Sequence, residues 1–147
     1  MKRRKFLHMV GTGMLALLAL PSFAKGWPKE AFLKTKSADA ISQLYPGLQA
    51  EESDKISMKV PEIAENGAVV PVTVSTDLAD VTNITILIDE NPNPLAASFD
   101  LGPNSIPEIS VRMKMGKTSV VTALVAAGGK LFSVKQEVKV TIGGCGG

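Results

Sequence analysis

The sequence predicts an all-β fold, an immunoglobulin-like antiparallel β-sandwich of about seven strands preceded by a short N-terminal helical segment. Three observations carry that expectation. From Ile56 onward apolar and polar residues alternate with period two, the runs are rich in Val, Ile and Thr, and Gly, Pro and Asn clusters divide them with no helical stretch between. Strands joined directly, without crossover helices, pack as two antiparallel sheets. The core disulfide common in such sandwiches is excluded, because the chain has one cysteine.

The helical start lies at Trp27-Pro28, where proline suits a first turn and Lys29-Glu30-Ala31-Phe32-Leu33 continues with good helix formers. Ser37 is placed to cap a second segment in which Ile41, Leu44 and Tyr45 share the face that packs on a sheet, before Pro46-Gly47 ends it. Val70, Val72 and Val74 then alternate with Pro71, Thr73 and Ser75, and the proline argues for an edge strand or a bulge. Thr82, Ile84, Ile86 and Ile88 share one face of the next strand. Asn91-Pro92-Asn93-Pro94 is a turn, followed by a strand near Leu95 to Leu101. Ile109, Val111, Met113 and Met115 mark a half-buried strand that ends at Gly116. After Val120 to Ala126, Gly128-Gly129 suits a tight hairpin. In the last strand Phe132, Val134, Val138, Val140 and Ile142 point one way and Ser133, Lys135, Glu137, Lys139 and Thr141 the other, with Gln136 alone breaking the apolar face.

Ahead of this domain, Lys2-Arg3-Arg4-Lys5 precedes Phe6-Leu7, an apolar run from Met9 to Leu20 and the small-residue site Ser22-Phe23-Ala24. This is the pattern of a cleaved signal peptide over residues 1–24. The paired arginines fit the twin-arginine type, which exports folded proteins to the periplasm, with Lys2 and His8 as imperfect matches. A membrane anchor is the alternative, but an apolar run of about a dozen residues falls short of the ~20 that span a bilayer. Cleavage after Ala24 would release a soluble chain that begins at Lys25.

Loss of residues 1–24 removes four of the sixteen basic residues and none of the fourteen acidic ones, so the formal charge passes from +2 to about −2. A basic nucleic-acid-binding surface is therefore not expected. The single histidine, His8, is lost as well, and with it the commonest general base and metal ligand. One thiol without imidazole argues against a zinc site or a Cys-His catalytic pair within this polypeptide, and no cofactor is expected. The 123 residues that remain suit one domain, taken as residues 25–142, with one core.

Several features resemble sites but have simpler explanations. Asn83-Ile84-Thr85 matches a glycosylation acceptor, yet it falls inside a predicted strand. Glu51, Glu52 and Asp54 form an acidic run of the kind usual in solvated linkers. Met58, Met113 and Met115 could suggest copper, but two of them have strand spacing that faces a core.

The carboxy terminus has no such explanation. After Ile142 the chain ends Gly143-Gly144-Cys145-Gly146-Gly147. Four glycines around one residue make a flexible arm over residues 143–147 with no side chains to pack. Three residues span roughly 10 Å when extended, so the Cys145 thiol could leave the domain surface and enter a narrow cleft without steric collision. Nothing adjacent in the sequence lowers the thiol pKa from about 8.5 and the terminal carboxylate would raise it, so activation is expected from a partner's site. A lone cysteine in an oxidising compartment also suits an intermolecular disulfide, which leaves an exported β-sandwich interaction domain as an alternative. The terminal Gly146-Gly147 pair leaves a second one, a thiocarboxylate carrier of the ubiquitin-like kind.

The ending Val140-Thr141-Ile142-Gly143-Gly144-Cys145-Gly146-Gly147 resembles the carrier signature of the SoxY family, and the signal, helical segment and sandwich extend the likeness over essentially the whole chain. The resemblance implies a periplasmic carrier, not an enzyme, that holds thiosulfate-derived groups on Cys145 while other proteins act on them. Its implied partners are a SoxZ-like subunit in a heterodimer, a haem-containing thiosulfate-conjugating enzyme, a manganese-dependent sulfate-releasing hydrolase and, in some organisms, a sulfane dehydrogenase.

Overall fold

Period-two alternation directs β-branched residues to one side of each strand, and two such apolar faces closing on each other form the main core. The computed structural model describes residues 26–141. Its elements are helices α1 (Lys29–Phe32) and α2 (Ser37–Leu44), then strands β1 (Ala50–Glu52), β2 (Ile56–Lys59), β3 (Ile63–Ala64), β4 (Val70–Thr76), β5 (Val81–Ile88), β6 (Leu95–Asp100), β7 (Glu108–Met113), β8 (Ser119–Ala127) and β9 (Lys130–Val140). The large sheet has the order β1-β9-β8-β5-β6, with β3 also on β9, and the small sheet is β2-β4-β7. Between them, Val70, Val72 and Val74 of β4 meet Ile84, Ile86 and Ile88 of β5 and Val121 and Val125 of β8, all fully buried.

The seven longer strands match the number expected from the alternation, although β7 stops at Met113 and does not run on to Met115, and β1 and β3 add two that are too short to show a period. Both pair with β9 in parallel, Glu51 opposite Phe132 and Ala64 opposite Val140, so the sandwich is not wholly antiparallel. The chain leaves the large sheet after Glu52, contributes β2 to the small sheet, and returns as β3 to the same flank of β9. The acidic residues Glu51 and Glu52 are exposed, in strand β1. Met113 and Met115 are buried in the core, with Met58 packed against it.

Pro71 lies in β4, the middle strand of the small sheet, which looks unfavourable for a residue with no N–H. The register removes the conflict: Pro71 is opposite Arg112 of β7, whereas β2 pairs with β4 only from Thr73 to Thr76. At Pro71 the strand is locally an edge. At the β8–β9 hairpin Ala127 pairs with Lys130, and Gly128 and Gly129 have φ of 57° and 75°, the two positive values that a type I′ turn requires.

The helices cover the outer face of the large sheet. Ala31, Ala40 and Tyr45 pack on Leu87, Leu95, Leu124 and Leu131 in a second buried cluster. That cover buries Leu131 and Ser133 at the start of β9, while Lys135, Glu137 and Lys139 beyond it stay exposed. Ser37 does not cap α2. It is the first helical residue, after an extended Lys36, and its hydroxyl donates instead to the Asp89 carboxylate at 2.5 Å. No helix among the described residues is long and apolar enough to cross a membrane.

Candidate functional site: the root of the carboxy-terminal arm

Cys145 and the flanking Gly143, Gly144, Gly146 and Gly147 lie outside the described residues, as does the 1–24 leader. What the structure describes is the strand that leads up to them. Strand β9 is held by β8 on one side and by β1 and then β3 on the other. Near its end the Lys139 amide donates to the Glu62 carbonyl at 2.9 Å and the Thr141 amide to the Ala64 carbonyl at 3.1 Å. Between them the Val140 amide donates to the Thr118 hydroxyl at 2.9 Å, and Val138 is fully buried. Every amide from 139 to 141 is thus paired, leaving little freedom for the last strand to fray.

Three loops surround this end. The 114–118 turn is tied down by the buried Met115, whose amide donates to the Gly67 carbonyl at 2.7 Å. The Asn91 carboxamide donates to the Lys114 carbonyl at 2.8 Å and accepts from the Gly116 amide at 3.2 Å, joining that turn to the β5–β6 connection. Lys117 and Glu90 form an exposed ion pair at 2.8 Å across the same two segments. An exposed pair of that kind contributes little, about 0–1 kcal/mol, so the backbone and carboxamide bonds do most of the bracing.

Among the described residues no three or more His, Cys, Asp or Glu side chains gather as a metal site. Tyr45 is pushed up to about 12, chiefly by burial, with a hydrogen bond to Thr85 lowering it and the charge of Asp100 raising it further. Its hydroxyl bonds to Asn83 Oδ1 at 2.5 Å and to Thr85 Oγ1 at 2.8 Å. Asn83 Nδ2 in turn donates to Asp100 at 2.8 Å and to Ser98 at 3.1 Å. This network lies at the opposite end of the sheet from the arm root. Asn83 pairs with Ala126, which pairs with Leu131, and the ten residues from there to Thr141 correspond to on the order of 30 Å of strand. Four residues from Thr141 to Cys145 reach at most about 14 Å. The network and the thiol therefore cannot act on one group at once.

Sequence reasoning passed over this network, although a signal was present. Asn83 and Thr85, two apart in a strand, share a face, and two polar groups on one side of an otherwise apolar strand mark a buried partner. That partner is Tyr45, which the helical stripe suggested only as packing. Burial of Asn83 at 7 % exposure also removes the glycosylation reading.

Comparison with known families finds that sulfur oxidation protein SoxY matches residues 41–145. The chain belongs to the SoxY family. The solved structure of the sulfur carrier protein SoxY from Chlorobium limicola f thiosulfatophilum is 50% identical, with a TM-score of 0.67, over 73% of this chain and 97% of that one. This SoxY-family chain is accordingly a sulfur carrier protein of the Sox pathway, a carrier rather than a catalyst. A superoxide reductase (neelaredoxin) from Ignicoccus hospitalis is 16% identical, with a TM-score of 0.55 over 62% of this chain, and shares the fold alone. No curated protein sequence matches the chain significantly.

Proposed function

We propose that the carrier group is the Cys145 thiol, presented by the 143–147 arm in the periplasm after twin-arginine export and removal of residues 1–24. The reading is carried by the sequence Gly143-Gly144-Cys145-Gly146-Gly147 that follows a strand whose amides are paired as far as Thr141. The family match, which runs as far as position 145, supports the same residue. In the first step the thiol sulfur bonds to the outer sulfur of thiosulfate. One proton and two electrons leave, and the electrons pass to a haem-containing partner. The product is an S-sulfonated persulfide on Cys145. Water, activated by a manganese-dependent partner, then cleaves the sulfur–sulfonate bond, releasing sulfate and a proton and leaving a persulfide on the carrier. A sulfane dehydrogenase would take this remaining sulfur further where one is present. A SoxZ-like subunit would complete the heterodimeric carrier.

Intact mass spectrometry of mature protein from cells grown on thiosulfate, before and after reduction, tests this reading. Reducible sulfur-containing additions located on Cys145 are expected. A Cys145 that is always bare, or joined only to another copy of itself, would replace the carrier assignment with an interaction domain using an intermolecular disulfide.

A further inference from the structure

The connection from β3 to β4 carries the single Asn-Gly pair of the chain, Asn66-Gly67. Hydrogen bonds close it into a tight turn: the Ala68 amide donates to Asn66 Oδ1 at 2.9 Å and the Val69 amide to the Asn66 carbonyl at 3.3 Å. Both ends of the turn are fixed. Ala64 is paired with Val140, and the Gly67 carbonyl accepts from the amide of the fully buried Met115 at 2.7 Å.

A carboxamide bent back over the next peptide sets an electrophile beside a nucleophile. The bond from Ala68 puts a donor on the oxygen where negative charge develops when the following nitrogen attacks Cγ. The bond from Val69 polarises the peptide that contains the Gly67 N–H and so eases loss of its proton. Gly67 has no side chain to block the approach, and its amide meets no acceptor among the described residues. Asn66 is exposed, so water reaches the site.

The other asparagines are each held from this reaction. Asn91 and Asn93 precede Pro92 and Pro94, which have no N–H to attack with. Asn83 is buried in β5, its carboxamide bonded to Tyr45, Asp100 and Ser98. Asn104 precedes Ser105, whose amide is already donated to the Gly102 carbonyl at 3.0 Å.

We propose that Asn66 is a self-modification site, at which the folded turn promotes its own deamidation. The Gly67 nitrogen bonds to Asn66 Cγ, and its proton leaves with the carboxamide nitrogen as ammonia, giving a cyclic imide. Water then opens the ring at either carbonyl. The product is aspartate, or isoaspartate with one further backbone carbon, and the chain gains one negative charge. No oxidant or reductant takes part.

In isoaspartate the added carbon falls between two fixed points, Ala64 on β9 and Gly67 on Met115. So short a span cannot absorb it without giving up a contact, so the bond of Thr141 to Ala64 or that of Met115 to Gly67 is weakened. The turn therefore times a slow loss of support along the end of β9.

The test incubates the purified chain at mildly alkaline pH and physiological temperature and reads conversion at each asparagine by peptide mass spectrometry, with isoaspartate identified by fragmentation. Conversion at Asn66 is expected to exceed that at Asn83 and Asn104 by at least about tenfold, and to be no slower in the folded chain than in urea. Gly67→Ala is expected to slow it by about tenfold or more. Isoaspartate at position 66 is expected to lower Tm by roughly 3–6 °C. Asn66→Asp adds the charge without the backbone carbon, so it is expected to keep Tm within about 1 °C of the parent. An Asn66 that stays intact in the folded chain, or converts only once the chain is unfolded, would overturn the proposal. Equal conversion at Asn104 would remove the turn from the mechanism and overturn it as well, and that comparison within one chain stands even if Gly67→Ala misfolds. An unchanged Tm after conversion to isoaspartate would overturn the loss of support. None of these readouts involves Cys145, so they stand apart from the carrier reading.

Discussion

The amide of Thr141 donates to the carbonyl of Ala64 at 3.1 Å, which carries the parallel pairing of β3 and β9 to the last described residue. Support from β3 on one side and Thr118 on the other holds the strand in place as far as Thr141. A group carried just beyond such a boundary has a reach set by its own few residues, because its base does not move. If Cys145 is the carrier group, as proposed, its reach is set by the few residues that separate it from Thr141.

Replacing Cys145 by serine should abolish thiosulfate-dependent mass additions and thiosulfate oxidation. The position follows the last strand, so Tm should remain within about 1 °C of the parent. Calorimetry alongside intact mass measurement checks both halves. A large fall in Tm would mean that the cysteine has a structural role.

Substituting Gly144 by valine tests whether a narrow, side-chain-free arm is needed. Turnover with the partner enzymes should fall at least about tenfold, a loss of about 1.4 kcal/mol in transition-state binding. Reaction of the thiol with a small soluble disulfide reagent should be nearly unchanged, since no cleft has to close around that reagent. Equal losses in both assays would point to altered thiol chemistry rather than access.

Tyr45 provides a pH prediction. Its folded pKa is pushed up to about 12 from 10.0, chiefly by burial, so between those values the native chain binds more protons than the unfolded one. The associated stability is fully present below pH 10 and declines as pH rises through about 12, a loss on the order of 2–3 kcal/mol. Tyr45 is the only tyrosine, so absorbance titration of tyrosinate assigns the transition without ambiguity. Tyr45→Phe should remove this pH dependence and cost about 1–2 kcal/mol at neutral pH through the lost bonds to Asn83 and Thr85.

The β8–β9 hairpin isolates backbone strain from packing. A Cβ at Gly129 would meet nothing within 4 Å, yet φ there is +75°. Gly129→Val should therefore destabilise by about 1–2 kcal/mol in urea unfolding. Gly128→Asn, at φ +57°, should cost a few tenths of that, because asparagine tolerates the left-handed region in this turn.

Several features of this protein were determined by its sequence alone. The alternating Val, Ile and Thr of β4, β5, β8 and β9 are sufficient to specify strands and the face each turns to the main core, because side-chain direction along a strand repeats every two residues, whereas burial of the outer face of β5, β8 and the start of β9 depends on the rest of the fold. The Gly128-Gly129 turn follows from local stereochemistry, because only residues that accept positive φ suit it. Tertiary structure decided what depends on contacts distant in sequence. The two- and three-residue strands β3 and β1 have no period of their own, and only the open flank of β9 makes them strands. Pro71 is tolerable because β2 stops two residues short of it, a matter of register between separate segments. Asn83 becomes a structural hydrogen-bonding group because Tyr45, 38 residues earlier, is carried over it by α2, where burial makes an unpaired amide costly.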